Sequence, residues 1–288
     1  MGALLGALSA VSVGISEMFG RRGSQAMGVL TVGVVSQAVA ALTALALVMV
    51  LPSELSWPDL GRGAISGVGF AVGMVTYLGG LLRSSSTVIS PTVATLTVVI
   101  PFGVAVIGGE QASTLAVTGV GVAIIGLVLI TVSGRAAVGI RKGLIWGATS
   151  GLGYGIGLAV LIDTSTSSGS WPAVSQRFVA CILTVMLATG RRSPVIPPRG
   201  IRWPPLFSGI FGGLASTLYL FGLQADALPA AVTGAMFPVV SVVVGRFVFG
   251  DNVRPPQVAG LSLVLAGVTG VVISLTRSLH RMAGLADG

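Results

Sequence analysis

Long apolar segments separated by short polar breaks are the feature that most constrains how this chain can fold. A break recurs roughly every 28 residues, which fits an apolar helix across a bilayer plus a short connection. Only 8% of the 288 residues are charged, compared with about a quarter in soluble domains. The breaks predict ten spans, at 2–20, 27–51, 63–82, 87–108, 113–133, 143–162, 173–190, 205–224, 229–249 and 257–275.

The spans are predicted to be helices. Hydrocarbon offers the backbone no hydrogen bonds, so only helices and closed β-barrels can cross it. The apolar residues run continuously, whereas those of barrel strands alternate with polar ones. The expected fold class is therefore all-α integral membrane, with about ten transmembrane helices. The longest connections cover residues 52–62 and 190–203, so little of the chain is left for a soluble domain.

Positive charge lies mostly on one side of the predicted bundle. By the positive-inside rule, the connections after odd-numbered spans face the cytoplasm and both termini face outward. Basic residues are scattered singly without an aromatic platform, which argues against nucleic acid as a partner. The net charge of +8 is instead read as a topology signal at the lipid bilayer. The odd-numbered connections hold Arg21, Arg22, Arg83, Arg135, Arg141, Lys142, Arg191, Arg192, Arg199, Arg202 and Arg254; the opposite side holds Arg62, Arg277 and Arg281.

The two halves of the chain repeat each other. Glycine, serine and acidic positions near 109–133 recur 141 residues later, and a Tyr-Leu-x-Gly-Leu stretch at Tyr77 recurs at Tyr219. The sequence therefore predicts a five-helix repeat over residues 1–134 and a second over 135–288, which ends in a short C-terminal tail. Because five is odd, the second copy enters the membrane from the opposite side. Inverted repeats are a common basis of alternating access in transporters.

The repeat motifs resemble the EamA-type family of the drug/metabolite transporter superfamily, over essentially the whole chain. The resemblance implies ten helices, a plasma-membrane location (a bacterial inner membrane) and export or uptake of small metabolites. Asp251 departs from it, because glutamate is usual there, and so does Thr97, because the first repeat often has proline there. The motifs are Gly250-Asp251-Asn252-Val253, Gln257-x-x-Gly260, Ala266-Gly267-Val268 and Pro238, with the first-repeat counterparts Gly109-Glu110-Gln111, Gly119 and Gly126, and the opening Gly14-Ile-Ser-Glu17-Met-Phe-Gly20 followed by Ser36-Gln37.

Glu17 is the most informative candidate for the transport chemistry. A carboxylate within a span costs on the order of 3 kcal/mol on insertion scales, so it needs a reason to be there. Burial favours its protonated form, and proton exchange near neutral pH would follow. Its place in the first helix also resembles that of the essential glutamate in small multidrug resistance proteins. Alternatively, Glu17 pairs with Arg21 at i+4 near the interface.

Arg177 and Arg246 also fall inside predicted spans. Arg177 could hold a carboxylate or phosphate of a substrate if it faces a central cavity. Arg246 is expected at the depth of Glu17 and is the better candidate partner for it, whereas a direct pair between Glu17 and Arg177 is not expected. Either arginine could instead extend its side chain to the membrane surface.

Polar side chains within other spans could line the same cavity. The candidates are Gln37, Gln176, Tyr77, Tyr154 and Tyr219, of which the two glutamines share a Val-Ser-Gln context that suggests equivalent positions in the two repeats. Hydrogen bonding between helices is the alternative role for each.

The sequence contains no recognisable catalytic, cofactor or metal constellation. One histidine, His280, falls in the tail, and one cysteine, Cys181, falls in an apolar run. No P-loop is present, so an ion or substrate gradient would drive transport. The leading hypothesis is a non-enzymatic secondary transporter, a proton-coupled exporter of small metabolites such as amino acids, acting as a monomer or homodimer. A multidrug or lipophilic-cation exporter and a non-transporting membrane scaffold remain alternatives.

Overall fold

The computed structural model describes residues 1–51, 53–84, 86–109, 113–132 and 140–234, with single positions and short stretches between 236 and 267. All regular structure in these residues is helical. Short 3₁₀ turns at Thr166–Ser168 and Arg199–Ile201 lie in two of the connections. The α-helices are α1 (Gly2–Met27), α2 (Val29–Val50), α3 (Trp57–Arg83), α4 (Ser86–Ile107), α5 (Thr114–Val132), α6 (Ile140–Ala159), α7 (Trp171–Gly190), α8 (Trp203–Ala225) and α9 (Ala227–Gly234).

Five of the described helices, α1, α2, α3, α7 and α8, are long and apolar enough to cross a membrane. The described positions between 255 and 267 are also all helical, within the predicted tenth span. The predicted boundary between the repeats, at residues 134 and 135, lies outside the described residues. So do Glu110, Asp251, Pro238 and the C-terminal tail.

Helix starts differ from the predicted spans where a Trp-Pro pair occurs. α3 begins at Trp57, six residues before the predicted start, while α7 and α8 begin at Trp171 and Trp203, two residues early. Proline suits the first turn of a helix because its missing N–H would have had no intrahelical acceptor. The apolar pattern alone underestimated these helices, since their first turns are polar or aromatic.

The first helix continues past its predicted end at residue 20. Arg21 and Arg22 lie within α1, which ends at Met27 before Gly28. Gly28 adopts a φ of 86° and its N–H donates to the carbonyl of Ser24 at 3.0 Å. This left-handed conformation favours glycine and stops the helix. Charge therefore marked the end of the apolar run, while Gly28 marks the end of the helix.

Contacts between the two halves of the chain are reciprocal. α1 packs on α8 and α9, and in the same way α6 packs on α3 and α4. α2 packs on α8 as α7 packs on α3, and α2 and α7 contact each other. Exchanging α1, α2, α3 and α4 with α6, α7, α8 and α9 therefore reproduces these contacts between the halves. Each half buries two of its helices in the other.

Glycines allow the close crossings at α6. A methyl group at Gly151 would lie 2.8 Å from Cβ of Leu96 in α4, and one at Gly153 would lie 2.7 Å from the carbonyl oxygen of Gly69 in α3. These distances are shorter than ordinary van der Waals contacts, so the helix backbones approach as they do at small-residue interfaces in membranes. Gly147, Gly151 and Gly155 lie four residues apart on one smooth face of this helix, and that face packs on α4.

Replacing Gly153 with alanine should destabilise the protein because the added methyl group meets backbone atoms of α3, which cannot rotate away. Overpacking of this kind costs about 1–3 kcal/mol. Gly61→Ala in the first turns of α3 is the control, since nothing lies within 4 Å of its Cβ position. Thermal unfolding in detergent should show a lower Tm for Gly153→Ala only. Equal Tm values for the two variants would contradict the close α3–α6 crossing.

Candidate functional site: a polar cavity in the helix bundle

A cavity lies between α1, α2, α3, α4, α6, α7, α8 and α9. The cavity and the open space at its mouth together hold about 910 Å³ free of protein atoms. Six of the eight predicted site residues line it: Glu17, Gln37, Tyr77, Tyr154, Arg177 and Tyr219. Arg246, the predicted partner of Glu17, lies outside the described residues.

Arg177 is the buried cation of this cavity, with 8% of its surface exposed. Its Nε and Nη2 both donate to Oγ of Ser216, at 2.9 and 2.5 Å. Nη2 also donates to the carbonyl of Gly212 at 2.8 Å, and Nη1 donates to Oε1 of Gln37 at 3.0 Å. The guanidinium carbon lies 4.8 Å from the centre of the Phe70 ring, a cation–π distance. Its hydrogen-bond acceptors among the described residues are therefore all neutral oxygens.

A chain of hydrogen bonds continues from Arg177 across the bundle. Ser216, which accepts from Arg177, donates to Oε1 of Gln176 at 2.8 Å. Nε2 of Gln176 donates to Oγ of Ser66 at 2.7 Å, and Ser66 donates to the carbonyl of Gly157 at 2.6 Å. Gln176 is fully buried and is not among the residues that line the cavity. Its observed partners match the predicted alternative of hydrogen bonding between helices.

Gln37 is at the cavity wall, in contrast to Gln176. Its Oε1 accepts from Arg177, and its Nε2 lies 3.4 Å from the sulfur of Met74. The two glutamines lie at related helix crossings but not at equivalent positions. Gly209 of α8 packs against the Ser36 carbonyl and Val39 of α2, as Gly67 of α3 packs against the Gln176 carbonyl and Val179 of α7. Gln176 therefore corresponds to Ser36, and Gln37 corresponds to Arg177.

Glu17 is on the cavity face of α1, partly buried, beside Tyr77 of α3. The Tyr77 hydroxyl donates to Oε2 of Glu17 at 3.3 Å. Val13, Ser16 and Gly20 share that face of the helix, at the spacing expected for one stripe. Glu17 and Arg177 line the same cavity without forming an ion pair with each other, as the sequence led us to expect.

Aromatic rings cover much of the apolar part of the wall. Tyr154 meets Phe70 edge-to-face with ring centres 5.1 Å apart. Phe70 thus contacts both Arg177 and Tyr154, and the three side chains form one cluster. Tyr77, Tyr219 and Phe237 also line the cavity. The hydroxyl of Tyr219 is buried and has no hydrogen-bond partner among the described residues.

Sequence reasoning missed Ser66, Ser216, Phe70 and Met74 as parts of this site. Ser216 is a turn from Gly212 and from Tyr219 on α8, so all three share one face. That spacing was available in the sequence, but serine is common in these spans and the face that meets Arg177 depends on how α7 and α8 cross. Ser66 carried a signal only as part of the Ser-Gly pair repeated at Ser208.

The fold and the cavity define a helical protein with a cavity between its helices that has charged groups in its wall. A sequence model of the EamA-like transporter family matches the chain twice, over residues 1–132 and 141–273. The chain belongs to the EamA-like transporter family, part of the drug/metabolite transporter superfamily, and it is a multi-pass membrane protein. The resemblance inferred from the sequence motifs is thereby confirmed.

Solved structures share this fold. Among the 28 matching chains, one protein known from its crystal structure has a TM-score of 0.76 and 15% sequence identity, covering 96% of this chain and 98% of its own. At that identity the similarity concerns the fold alone. A search of curated proteins gives no significant match to the chain.

Ser216→Ala should destabilise the protein, because Ser216 is the acceptor for two N–H groups of a buried cation and the donor to Gln176. Hydrogen bonds to charged groups contribute about 1.5–3 kcal/mol. Thr217→Val is the control on the same helix, since the buried Thr217 hydroxyl has no partner among the described residues. Thermal unfolding should show a Tm that falls for Ser216→Ala and is unchanged or higher for Thr217→Val. The reverse order would contradict the network.

Proposed function

We propose that this protein is a secondary transporter that carries a small metabolite, such as an amino acid, through the cavity by alternating access. The observation that carries the proposal is a cavity, shared by both halves of a transporter-family fold, whose largely apolar wall holds both a carboxylate and a guanidinium. Buried ionisable groups in a membrane protein are costly and typically mark a substrate or ion pathway. A solute with polar and apolar parts suits a wall that mixes Glu17 and Arg177 with aromatic rings.

The transport unit is proposed to have ten spans in two inverted five-helix repeats. The reciprocal contacts of α1, α2, α6 and α7 with the opposite half support this arrangement. Gly267, near the end of the chain, packs against α5, where a methyl group would lie 2.7 Å from the backbone nitrogen of Ala123. That contact fits a tenth helix beside the fifth. A central cavity within one such unit allows a monomer to transport, alone or within a homodimer.

The proposed location is the plasma membrane, as in a bacterial inner membrane, with the odd-numbered connections in the cytoplasm. The exposed Arg191 and Arg192 after α7 and Arg141 at the start of α6 fit that orientation. Both termini would then face outward.

Proton coupling is proposed to run through Glu17. The carboxylate is at the cavity wall, where solute and proton can compete for it, and the Tyr77 hydroxyl steadies its charged form by hydrogen bonding. Release of the solute on protonation of Glu17 would couple outward movement of solute to inward movement of protons. The proposed direction is therefore export.

The gate at one end of the cavity is proposed to be the meeting point of two connections from different halves. The N–H of Glu54 donates to the carbonyl of Ser167 at 2.8 Å, and the N–H of Ser165 donates to Oδ2 of Asp59 at 3.1 Å. Ser175 donates to the carbonyl of Leu60 at 2.8 Å. These bonds join the start of α3 and the residues before it to the connection before α7 and the first turns of α7, so opening at that end has to break them.

A lipophilic-cation exporter is the second candidate, and the aromatic rings of the cavity favour it. Five rings line a cavity in a chain with only three tyrosines and ten phenylalanines, and rings stabilise cations through their faces. The guanidinium of Arg177 argues against a cation exporter, because a like charge in a low-dielectric cavity repels a cationic solute. A membrane scaffold, the third candidate, gives no reason for charges in a cavity.

Glu17→Gln should abolish solute-driven proton movement, because the amide cannot exchange a proton. The measurement is internal pH in proteoliposomes during addition of a panel of amino acids and lipophilic cations. Glu54→Gln, which neutralises an exposed carboxylate, is the matched control and should transport like the wild type. A proton signal that survives Glu17→Gln would contradict the role of Glu17 while leaving a carrier; no flux of any solute would contradict the transporter itself.

Locking the proposed gate should stop transport. Glu54→Cys combined with Ser167→Cys places two cysteines on chain segments that a 2.8 Å backbone hydrogen bond joins, so that oxidation can cross-link them. In a Cys181→Ala background, oxidation should abolish solute flux in proteoliposomes and a reductant should restore it. Each single cysteine variant serves as control and should be insensitive to oxidant. Unchanged flux in the oxidised, cross-linked protein would show that this end does not open.

A further inference from the structure

The guanidinium of Arg177 has binding capacity that the protein itself does not use. Its five N–H groups meet Ser216, Gly212 and Gln37, and one N–H of Nη1 has no acceptor among the described residues. Each of those acceptors is neutral. A buried cation without a counter-charge is unfavourable, so an anion that entered the cavity would gain an interaction that no described residue already satisfies.

Tyr219 offers a second unused donor on the same wall. Its hydroxyl is buried without a partner among the described residues, and Tyr219 lies one turn from Ser216 along α8. Gly212, Ser216 and Tyr219 all line the cavity, on one stripe of the helix. A buried hydroxyl normally has a hydrogen-bond acceptor. The position of the Tyr219 hydroxyl at the cavity wall therefore suggests that the transported solute supplies the acceptor.

Comparison of the repeats supports this role. Tyr77, the counterpart of Tyr219, donates to Glu17. The residue 141 positions after Glu17 is Leu158, which also lines the cavity and offers no acceptor. Similarly, the helix contacts place the neutral Gln37 of α2 where α7 has Arg177. The first half thus contributes Tyr77 together with its acceptor, the Glu17 carboxylate. The second half contributes Tyr219 and Arg177, for which the described residues of that half supply no carboxylate.

We propose that Arg177 and Tyr219 form a binding site for the carboxylate of an organic solute, the open Nη1 N–H and the tyrosine hydroxyl both donating to its oxygens. This assignment rests on the proposed transport function and names the substrate class. A single negative charge fits better than a phosphate dianion, because Arg177 is the one cation among the described residues of the wall and Glu17 adds a negative charge. Guanidinium–carboxylate pairs are short, directional and strong.

Binding to purified protein in detergent, measured by calorimetry, tests the site directly. The probes are the L-amino acids, lactate and benzoate, each beside the amide in which the carboxylate charge is removed, together with inorganic phosphate. At least one carboxylate should bind at least about tenfold more tightly than its amide, the difference expected for a charge-assisted hydrogen bond. Arg177→Gln should remove that preference, while Arg141→Gln, which neutralises an exposed cation, should keep it.

Tyr219→Phe is the second variant, in case Arg177→Gln does not fold. Losing a hydroxyl without a partner should leave the Tm equal or higher. It should also weaken the binding of the preferred carboxylate by roughly three- to tenfold. Equal binding of acid and amide by the wild type, no carboxylate binding at all, or selective binding of phosphate alone would each overturn the carboxylate site. Flux of amides or cations in proteoliposomes would then show that the protein is a transporter without a carboxylate site. Absence of all flux would contradict the proposed function itself.

Discussion

The burial of one cation, Arg177, is the constraint on which the centre of this structure depends. Moving a guanidinium out of water costs several kcal/mol unless its N–H groups are met. α2 supplies Gln37 and α8 supplies Gly212 and Ser216, so the positions of both helices relative to α7 are tied to the same charge. The hydrogen bonds from Ser216 to Gln176, from Gln176 to Ser66 and from Ser66 to the Gly157 carbonyl continue this network to α3 and α6. The positions of those two helices are therefore linked to the same charge.

The two halves share a scaffold and differ in its chemistry. Glycine-mediated crossings recur where α8 meets α2 and where α3 meets α7, and they set similar cavity walls in each half. The charged groups do not recur, since Leu158 lies where symmetry would place a second Glu17 and Gln37 lies where it would place a second Arg177. Duplication therefore supplied the cavity, and divergence made its two sides chemically distinct, one acidic and one basic.

Much of the fold could be predicted from the sequence, but less of the site. Continuous apolar runs predict helices, yet they missed the Trp-Pro starts of α3, α7 and α8 and the glycine stop after α1, because caps lie outside the apolar pattern. Glu17 and Arg177 stood out because charge within a span is rare. Ser216 and Ser66 did not, since a serine becomes informative only when a helix crossing gives it a partner.

The distribution of hydrogen bonds bears on where the bundle can move in the proposed transport cycle. Separating α7 from α8 at Ser216 would leave a buried cation short of two bonds, each worth about 1.5–3 kcal/mol. Opening at the connections breaks the neutral Glu54–Ser167 and Ser175–Leu60 bonds, worth about 0.5–1.5 kcal/mol each, and the bond from Ser165 to the Asp59 carboxylate. Glu54, Ser165 and Ser167 are exposed, so water can replace their bonds once the connections separate. Rocking of the two halves is therefore favoured to pivot at the level of Arg177 and to open at the connections. Such a pivot keeps the guanidinium ordered for the solute throughout the cycle.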